Sequence, residues 1–351
     1  MVSYSIDASP FPFSSSIILE FLKTVHNKFL KTVYFKKDSC VLYLCTQIRA
    51  AVYRSGPVYR RKQSERGGLG MLSRVVAIHD ISCVGKCSLT IALPVLSAAG
   101  IECSVLPTAI LSTHTGGFSG YTFHDLTGEM EPIARHWESL HLPVDAFYTG
   151  YLGSLEQTET VRHLIRRLKK EDTLTLVDPA MADNGRLYAG FDGTFVKGMA
   201  ALCREADVIL PNLTEAALLL EEPFRENPSR EEVQALLRRL STLGPKKIIL
   251  TGVSYVPGKI GAAAYDRESG DFCEYLDERV EGSFHGTGDL FSSAVLAALL
   301  NRRSLPQSLA IAARFVLQAI RNTVANGTDR RYGVDFEHAI PGFIREVLPN
   351  T

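Results

Sequence analysis

From Arg74 onward the apolar residues of this chain alternate between two patterns. Short runs rich in Val, Ile and Leu end in polar or glycine-containing clusters, and longer segments with apolar residues three or four apart follow them. Arg74 to Ile78 predicts a buried parallel strand followed by a polar loop, His79 to Lys86. Ser88 to Ala99 has helical spacing and stops at Gly100, and Ile101 to Pro107 is the next strand, so the three make a βαβ unit. The pattern continues with a strand from Ala146, a helix over Leu155–Lys169, a strand over Thr173–Val177 and another over Ala206–Leu210 that runs into Pro211 and a helix. Lys246 to Leu250 is a further buried strand ending in Thr251-Gly252. Ala262–Tyr265 and Cys273–Leu276 read as short strands of a meander, and Leu290–Leu300, Ser308–Asn326 and Phe336–Val347 as helices. The class is α/β. Every polar cluster follows a strand, which places all of them at the carboxyl edge of one mostly parallel sheet, where such sheets bind ligands.

Residues 1–70 lack this alternation. Ile17 to Phe29 is compatible with a short amphipathic helix and Cys40 to Ala51 with a strand or helix, but the segment has neither the basic start nor the cleavage site of a secretory signal. Two readings stand. Glu65-Arg66-Gly67-Gly68 can be encoded by a purine-rich stretch resembling a ribosome-binding site, with Met71 as the initiator; otherwise residues 1–70 are a genuine extension. In both cases the expected domain is 71–351.

Composition narrows the partners. Lys and Arg number 38 and so do Asp and Glu, so no net charge favours nucleic acid or an anionic membrane. The seven cysteines form no Cys-x-x-Cys pair and no zinc spacing, which suits a reducing cytoplasm. No apolar run approaches the roughly 20 residues of a membrane span.

The chemistry centres on Gly286-Thr287-Gly288-Asp289, which opens the helix at Leu290. Glycines let backbone N–H groups converge, and the helix start adds partial positive charge, so the stretch can hold an anion. Asp289 is then either a helix cap or a general base beside a transferring phosphoryl group. Gly85-Lys86 is no Walker A motif, because Asp80 stands where its first glycine belongs and Cys87 follows the lysine. Asp80 and Ser82 are loop caps or substrate partners. Thr108 to Phe118 forms a polar loop in which His114 and Thr115 are candidates, and Gly150-Tyr151 closes another strand. Asp178 and Asp183 are turn formers or face a cationic ligand. Asn212 and Glu215 fit a capping box, and beside a polyphosphate they also suit Mg²⁺.

In order, His79-Asp80-x-Ser82, Leu111-Ser112-Thr113-His114-Thr115-Gly116-Gly117, Thr149-Gly150-Tyr151-Leu152-Gly153, Asp178-Pro179, Pro211-Asn212-x-x-Glu215 and Gly286-Thr287-Gly288-Asp289 resemble the motif set of the ribokinase-like superfamily, and within it bacterial pyridoxamine/pyridoxal kinases. The resemblance implies a three-layer αβα fold and ATP along the carboxyl edge of a mostly parallel central sheet. It implies Mg²⁺, with K⁺ as a further candidate, and a homodimer. It implies Asp289 as the base for a primary alcohol and the amides of Gly286, Thr287 and Gly288 as the phosphate cradle. It also assigns Asn212, Glu215, Thr251, Gly252, Asp178 and Asp183 to ATP, with Asp178 and Glu215 at the metal, and Thr115 and Tyr151 to the pyridine pocket that Asp80, Ser82 and His114 complete. The first loop departs from many pyridoxal kinases, being shorter and lacking their Ser-His pair, and leans toward hydroxymethylpyrimidine kinases; Leu210 stands where some relatives have threonine. A hydroxymethylpyrimidine kinase and a non-catalytic vitamer-binding protein are the alternatives. Cys83 and Cys87, near the pocket, are buried hydrophobes or groups open to an aldehyde vitamer.

Overall fold

In the computed structural model the described residues are 72–348, so every expectation for residues 1–70 lies outside them. Along the chain run β1 (Arg74–Ser82), α1 (Leu89–Ala98), β2 (Glu102–Leu111), β3 (Phe123–Asp125), α2 (Thr127–Ser139), β4 (Ala146–Thr149), α3 (Leu155–Leu168) and β5 (Leu174–Val177). A small hairpin, β6 (Ala182–Asp183) and β7 (Arg186–Leu187), precedes α4 (Gly193–Cys203), β8 (Val208–Ile209), α5 (Leu213–Leu219) and α6 (Arg230–Ser241). Then come β9 (Lys247–Val253), β10 (Lys259–Asp266), β11 (Phe272–Glu278), α7 (Thr287–Leu300), α8 (Leu305–Asn326) and α9 (Ile340–Val347).

The main sheet has nine strands in the order β11-β10-β9-β8-β5-β4-β1-β2-β3. From β2 across to β9 the neighbours are parallel, while β3, β10 and β11 are antiparallel additions at the edges. Helices cover both faces. Ile91, Val95 and Leu96 of α1 pack with Leu290, Val295 and Leu296 of α7, Leu309 and Phe315 of α8 and Phe343 of α9 on one side. Met130 of α2, Leu164 of α3, Met199 of α4, Leu219 of α5 and Leu237 of α6 pack on the other. Buried on both faces, strands such as Val75–Ile78 are continuously apolar, which is why they read so clearly. The three-layer arrangement matches expectation.

Several boundaries differ. β1 does not stop at Ile78 but continues to Ser82, so Asp80 and Ser82 are strand-end residues rather than loop residues. β2 likewise runs through Pro107 to Leu111, taking in Thr108–Leu111 of the expected polar loop. Pro107 opposes His79, next to a shift in the β1–β2 register, and a missing N–H donor is tolerated at such an irregularity. The helix expected from Ser308 begins at Leu305, capped by Ser304 and Gln307. The one expected over Phe336–Val347 divides into a 3-10 turn, Glu337–Ala339, and α9, which opens with Pro341 in its first turn.

This topology creates the cleft. β1 has β2 on one side and β4 on the other, so successive crossovers leave in opposite directions and a crevice opens above the carboxyl ends of these strands.

Candidate active site

Gly286 caps α7 in the left-handed conformation (φ 80°), and no side chain caps that helix. The first N–H groups of a helix lack intrahelical partners, so those of the Gly-Thr-Gly stretch remain available to an anion. Only glycine fits at 286, because a Cβ would lie 2.3 Å from the Lys86 carbonyl oxygen. Asp289, in the first turn of α7, is half-buried, and its Oδ2 accepts the backbone N–H of Ser88 at 2.8 Å. Burial and the nearby Asp80 carboxylate raise Asp289 to about 6, against the pull of that N–H bond.

Beneath Asp289 lies a buried hydroxyl network. The Tyr148 hydroxyl shares hydrogen bonds with Ser292 Oγ (2.6 Å) and Ser293 Oγ (3.2 Å) of α7. The His79 ring packs edge-on to Tyr148 at 4.4 Å; it is fully buried and burial pushes it down to about 3, so it stays neutral. Gly150 permits this packing, since a Cβ there would meet His79 Nδ1 at 2.4 Å.

On the expected substrate side, Ser82 Oγ donates to Asp80 Oδ2 at 3.0 Å; both residues are buried, and burial raises the Asp80 carboxyl. Tyr151 stacks on Phe191 at 5.6 Å, and burial, then Asp80, lifts its phenol to about 12. His114 is buried and has a defined tautomer. Gly116 N–H donates to Nδ1 (3.1 Å), leaving Nε2 to donate to the Arg331 carbonyl at 2.6 Å. Thr115, beside it, is exposed at the rim. Cys83 is exposed, while burial raises the Cys87 thiol, with Asp289 and Asp80 adding to the effect, so the thiol stays protonated and unreactive.

The expected ATP side is one connected unit. Asn212 caps α5, with Oδ1 accepting Thr214 N–H (2.8 Å) and Glu215 N–H (2.9 Å). Glu215 returns the contact through Oε2 to Asn212 N–H (2.9 Å), and its Oε1 accepts N–H groups from Met181 (3.0 Å) and Ala182 (3.4 Å). Thr251 N–H donates to the Pro211 carbonyl at 3.0 Å, pinning the end of β9 beside Asn212. Gly252 follows, exposed at φ 74°. Asp178, half-buried after β5, is raised to about 7 by burial and then by Asp289; burial and then Asp178 raise Glu215 well above the carboxylate range. Asp183 sits apart on the exposed β6–β7 hairpin, its carboxylate held by Asn184 N–H (2.8 Å).

Asp178, Glu215 and Asp289 thus crowd negative charge with no Lys or Arg among the described residues paired to them, and their donors are all oxygen, which fits Mg²⁺. Among the described residues no group of three or more His, Cys, Asp or Glu forms a ready-made cation cage, so an ion here must draw remaining ligands from phosphate and water. Ser88 and Tyr148, which touch or underlie the base, carry no local sequence signal. Ser88 has an unusual φ of 47° that only the assembled loop imposes.

Comparison with known proteins agrees with this fold. Residues 93–333 match the phosphomethylpyrimidine kinase family, a stretch that leaves Asp80 and Ser82 outside it. A Bacteroides thetaiotaomicron structure described as a phosphomethylpyrimidine kinase, in a crystal form with pyridoxal, is 40% identical with TM-score 0.75, covering 78% of this chain and 96% of that one. Pyridoxal kinase from Lactobacillus plantarum is 33% identical with TM-score 0.73, covering 78% and 98%. The pyridoxine/pyridoxal/pyridoxamine kinase of Bordetella avium is 26% identical over 275 residues, 73% of this chain and 87% of that protein. With this fold, this order of motifs and these matches, the chain belongs to the phosphomethylpyrimidine kinase family of the ribokinase-like superfamily.

Proposed function

We propose that this protein transfers the γ-phosphoryl group of ATP to the 5′-hydroxymethyl group of pyridoxal, pyridoxamine or pyridoxine, a step of vitamin B6 salvage. One observation carries the reading. A half-buried aspartate, oriented by the Ser88 N–H, follows directly on an uncapped helix start whose glycine admits no side chain.

In this reading Asp289 takes the proton of the alcohol as the alcohol oxygen attacks the γ-phosphorus and the bond from that phosphorus to the β,γ-bridging oxygen breaks, releasing ADP. The amides of Gly286, Thr287 and Gly288 receive the charge that develops on the transferring group. A carboxylate held near 6 is ionised at neutral pH and more basic than a free one. Asn212, Thr251 and Gly252 flank the polyphosphate, with Asp183 at the rim, and Asp178 and Glu215 would hold Mg²⁺. Bound there, Mg²⁺ supplies charge neutralisation for the phosphates. Asp80, Ser82, His114, Thr115 and Tyr151 line the ring pocket, where the neutral His114 ring fixes the loop over it.

The choice of a B6 vitamer draws support from the Bacteroides relative crystallised with pyridoxal and from the Lactobacillus pyridoxal kinase. Hydroxymethylpyrimidine is the second reading, favoured by Asp80-x-Ser82 and by the Aquifex aeolicus hydroxymethylpyrimidine/phosphomethylpyrimidine kinase, 28% identical over 185 residues. A coupled ADP-release assay with Mg-ATP and the three vitamers or hydroxymethylpyrimidine in parallel separates them. Turnover on the pyridines is expected, and turnover on the pyrimidine alone overturns the assignment.

A homodimer and a cytoplasmic location complete the proposal, with K⁺ as a candidate further ion. Light scattering, fractionation and replacement of K⁺ by Na⁺ in the assay test them in turn. No described helix is long and apolar enough to cross a membrane.

A further inference from the structure

Lys86 belongs to no part of the phosphate site, yet it is among the most tightly held residues near the base. Its N–H donates to the Tyr332 carbonyl at 2.8 Å, and its ammonium donates to Asp335 Oδ1 (2.8 Å) and Glu337 Oε2 (3.2 Å). Asp335 is itself buried in a net of donors. Its Oδ2 accepts Asn326 Nδ2 (3.0 Å) and Thr328 Oγ1 (2.6 Å), its N–H donates to Thr323 Oγ1 (2.8 Å), and its carbonyl accepts Asn322 Nδ2 (3.1 Å). So the C-terminal part of α8 and the segment after it form a rigid anchor for one lysine.

The peptide of that lysine lies between two glycines. A Cβ on Gly286 would meet the Lys86 carbonyl oxygen at 2.3 Å, and one on Gly333 would meet it at 2.6 Å. Two residues further on, buried Ser88 turns its N–H onto Asp289 at 2.8 Å from a strained backbone, φ 47°. A backbone in that region persists only when its surroundings hold it. The Ser88 carbonyl accepts the N–H groups of Ile91 (3.1 Å) and Ala92 (2.9 Å) at the start of α1, and on its other side the loop is held through Lys86.

We propose that the Lys86–Asp335 ion pair is a positioning device for the reaction, clamping the 83–88 loop so that the Ser88 amide aims the Asp289 carboxylate at the acceptor hydroxyl. Glu337 adds a second, more exposed oxygen to the same ammonium. The role of Asp289 as base rests on the function proposed above; the clamp itself does not.

The experiment uses the full chain and the variants Lys86→Met, Lys86→Arg and Asp335→Asn, with two readouts. Hydrogen exchange by mass spectrometry follows peptides covering residues 83–90, with Leu155–Leu168 as an internal reference. Lys86→Met should exchange about 10-fold faster over 83–90 with the reference unchanged, as expected for local opening. Kinetics with Mg-ATP and pyridoxal should show kcat reduced about 10- to 100-fold, with both KM values within about threefold, because misplacing the base costs rate more than binding. Lys86→Arg should restore most of the rate, and Asp335→Asn should add little to Lys86→Met if the two act as one unit. Unchanged protection over 83–90 overturns the clamp, whatever the activity. Increased exchange with kcat unchanged overturns its role in positioning the base. If the wild-type chain phosphorylates no vitamer, the functional reading fails, while the exchange experiment still decides the clamp.

Discussion

The backbone N–H of Ser88 and the Asp289 carboxylate, 201 positions apart in sequence, meet at 2.8 Å. That bond joins the loop after β1 to the start of α7 and engages one carboxylate oxygen, Oδ2; among the described residues no hydrogen bond is made to the other. A carboxylate that served only to cap α7 would be turned onto its own helix's N–H groups.

Asp289→Asn keeps the shape and the acceptor for Ser88 but removes the base. A positioned base contributes on the order of 10²–10⁴-fold, so kcat should fall by at least about 100-fold while vitamer binding survives. Stability should not fall with it. The folded-state pKa of Asp289 is raised to about 6, so its ionised form opposes folding, an effect that sets in as pH rises from the ordinary carboxylate range through about 6. At pH 8 the variant should therefore melt no lower than wild type. Calorimetry beside single-turnover kinetics checks both, and a kcat close to wild type would leave Asp289 only as a tether for the Ser88 amide.

The pH profile should carry the same signature. Ionised Asp289 is the active form, so kcat/KM should fall as pH drops through roughly 6 to 7, the range in which Asp289 and Asp178 titrate as neighbours. Asp80 raises the pKa of Asp289 by its charge, so Asp80→Asn should move the acid limb to lower pH. A limb that stays in place in that variant would remove Asp80 from the electrostatics of the base.

Gly286→Ala tests the cradle. The added methyl must face the Lys86 carbonyl at 2.3 Å, and the residue must hold φ 80°. Backbone strain of this kind costs about 1–3 kcal/mol, so the melting temperature should drop by several degrees, with kcat lowered further as the amides shift. Gly288→Ala is the contrast, because a Cβ there meets nothing within 4 Å. It should fold like wild type.

How much of this was legible in the sequence depended on locality. The parallel strands were readable because residues such as Val75–Ile78 are buried on both sides, and the Gly286–Asp289 turn because its chemistry lies in consecutive residues. The ends of β1 and β2 were not. Polar residues from His79 to Ser82 and Pro107 within β2 look like loop, yet pairing between the two strands carries both beyond their apolar stretches. β3 has three residues, all exposed, and α2 contains Pro132 and Gly128, so neither shows a clean period. In the site, Asn212 and Glu215 announce themselves through capping-box spacing. Ser88, Tyr148 and the Lys86–Asp335 pair depend on contacts between distant segments, which no local pattern encodes.

Glu215 separates structure from chemistry most sharply, because its carboxylate does two things at once. Three backbone N–H groups, from Asn212, Met181 and Ala182, end on it and hold the turn after Asp178 against α5. Burial and Asp178 also push its carboxyl up, so a nearby cation would favour ionisation of both. Glu215→Gln replaces one acceptor oxygen with an NH₂ that confronts N–H donors. Leaving a buried group unsatisfied costs about 1–3 kcal/mol, which should lower the melting temperature by a few degrees. Asn212→Ala loses the cap that opens α5, about 1 kcal/mol, but keeps the carboxylate. If Glu215 helps to hold Mg²⁺, the Mg²⁺ concentration for half-maximal rate should rise in Glu215→Gln and change little in Asn212→Ala, although both are destabilised. Equal Mg²⁺ curves for the two variants would make Glu215 a capping residue alone and leave Asp178 as the protein's carboxylate for the ion.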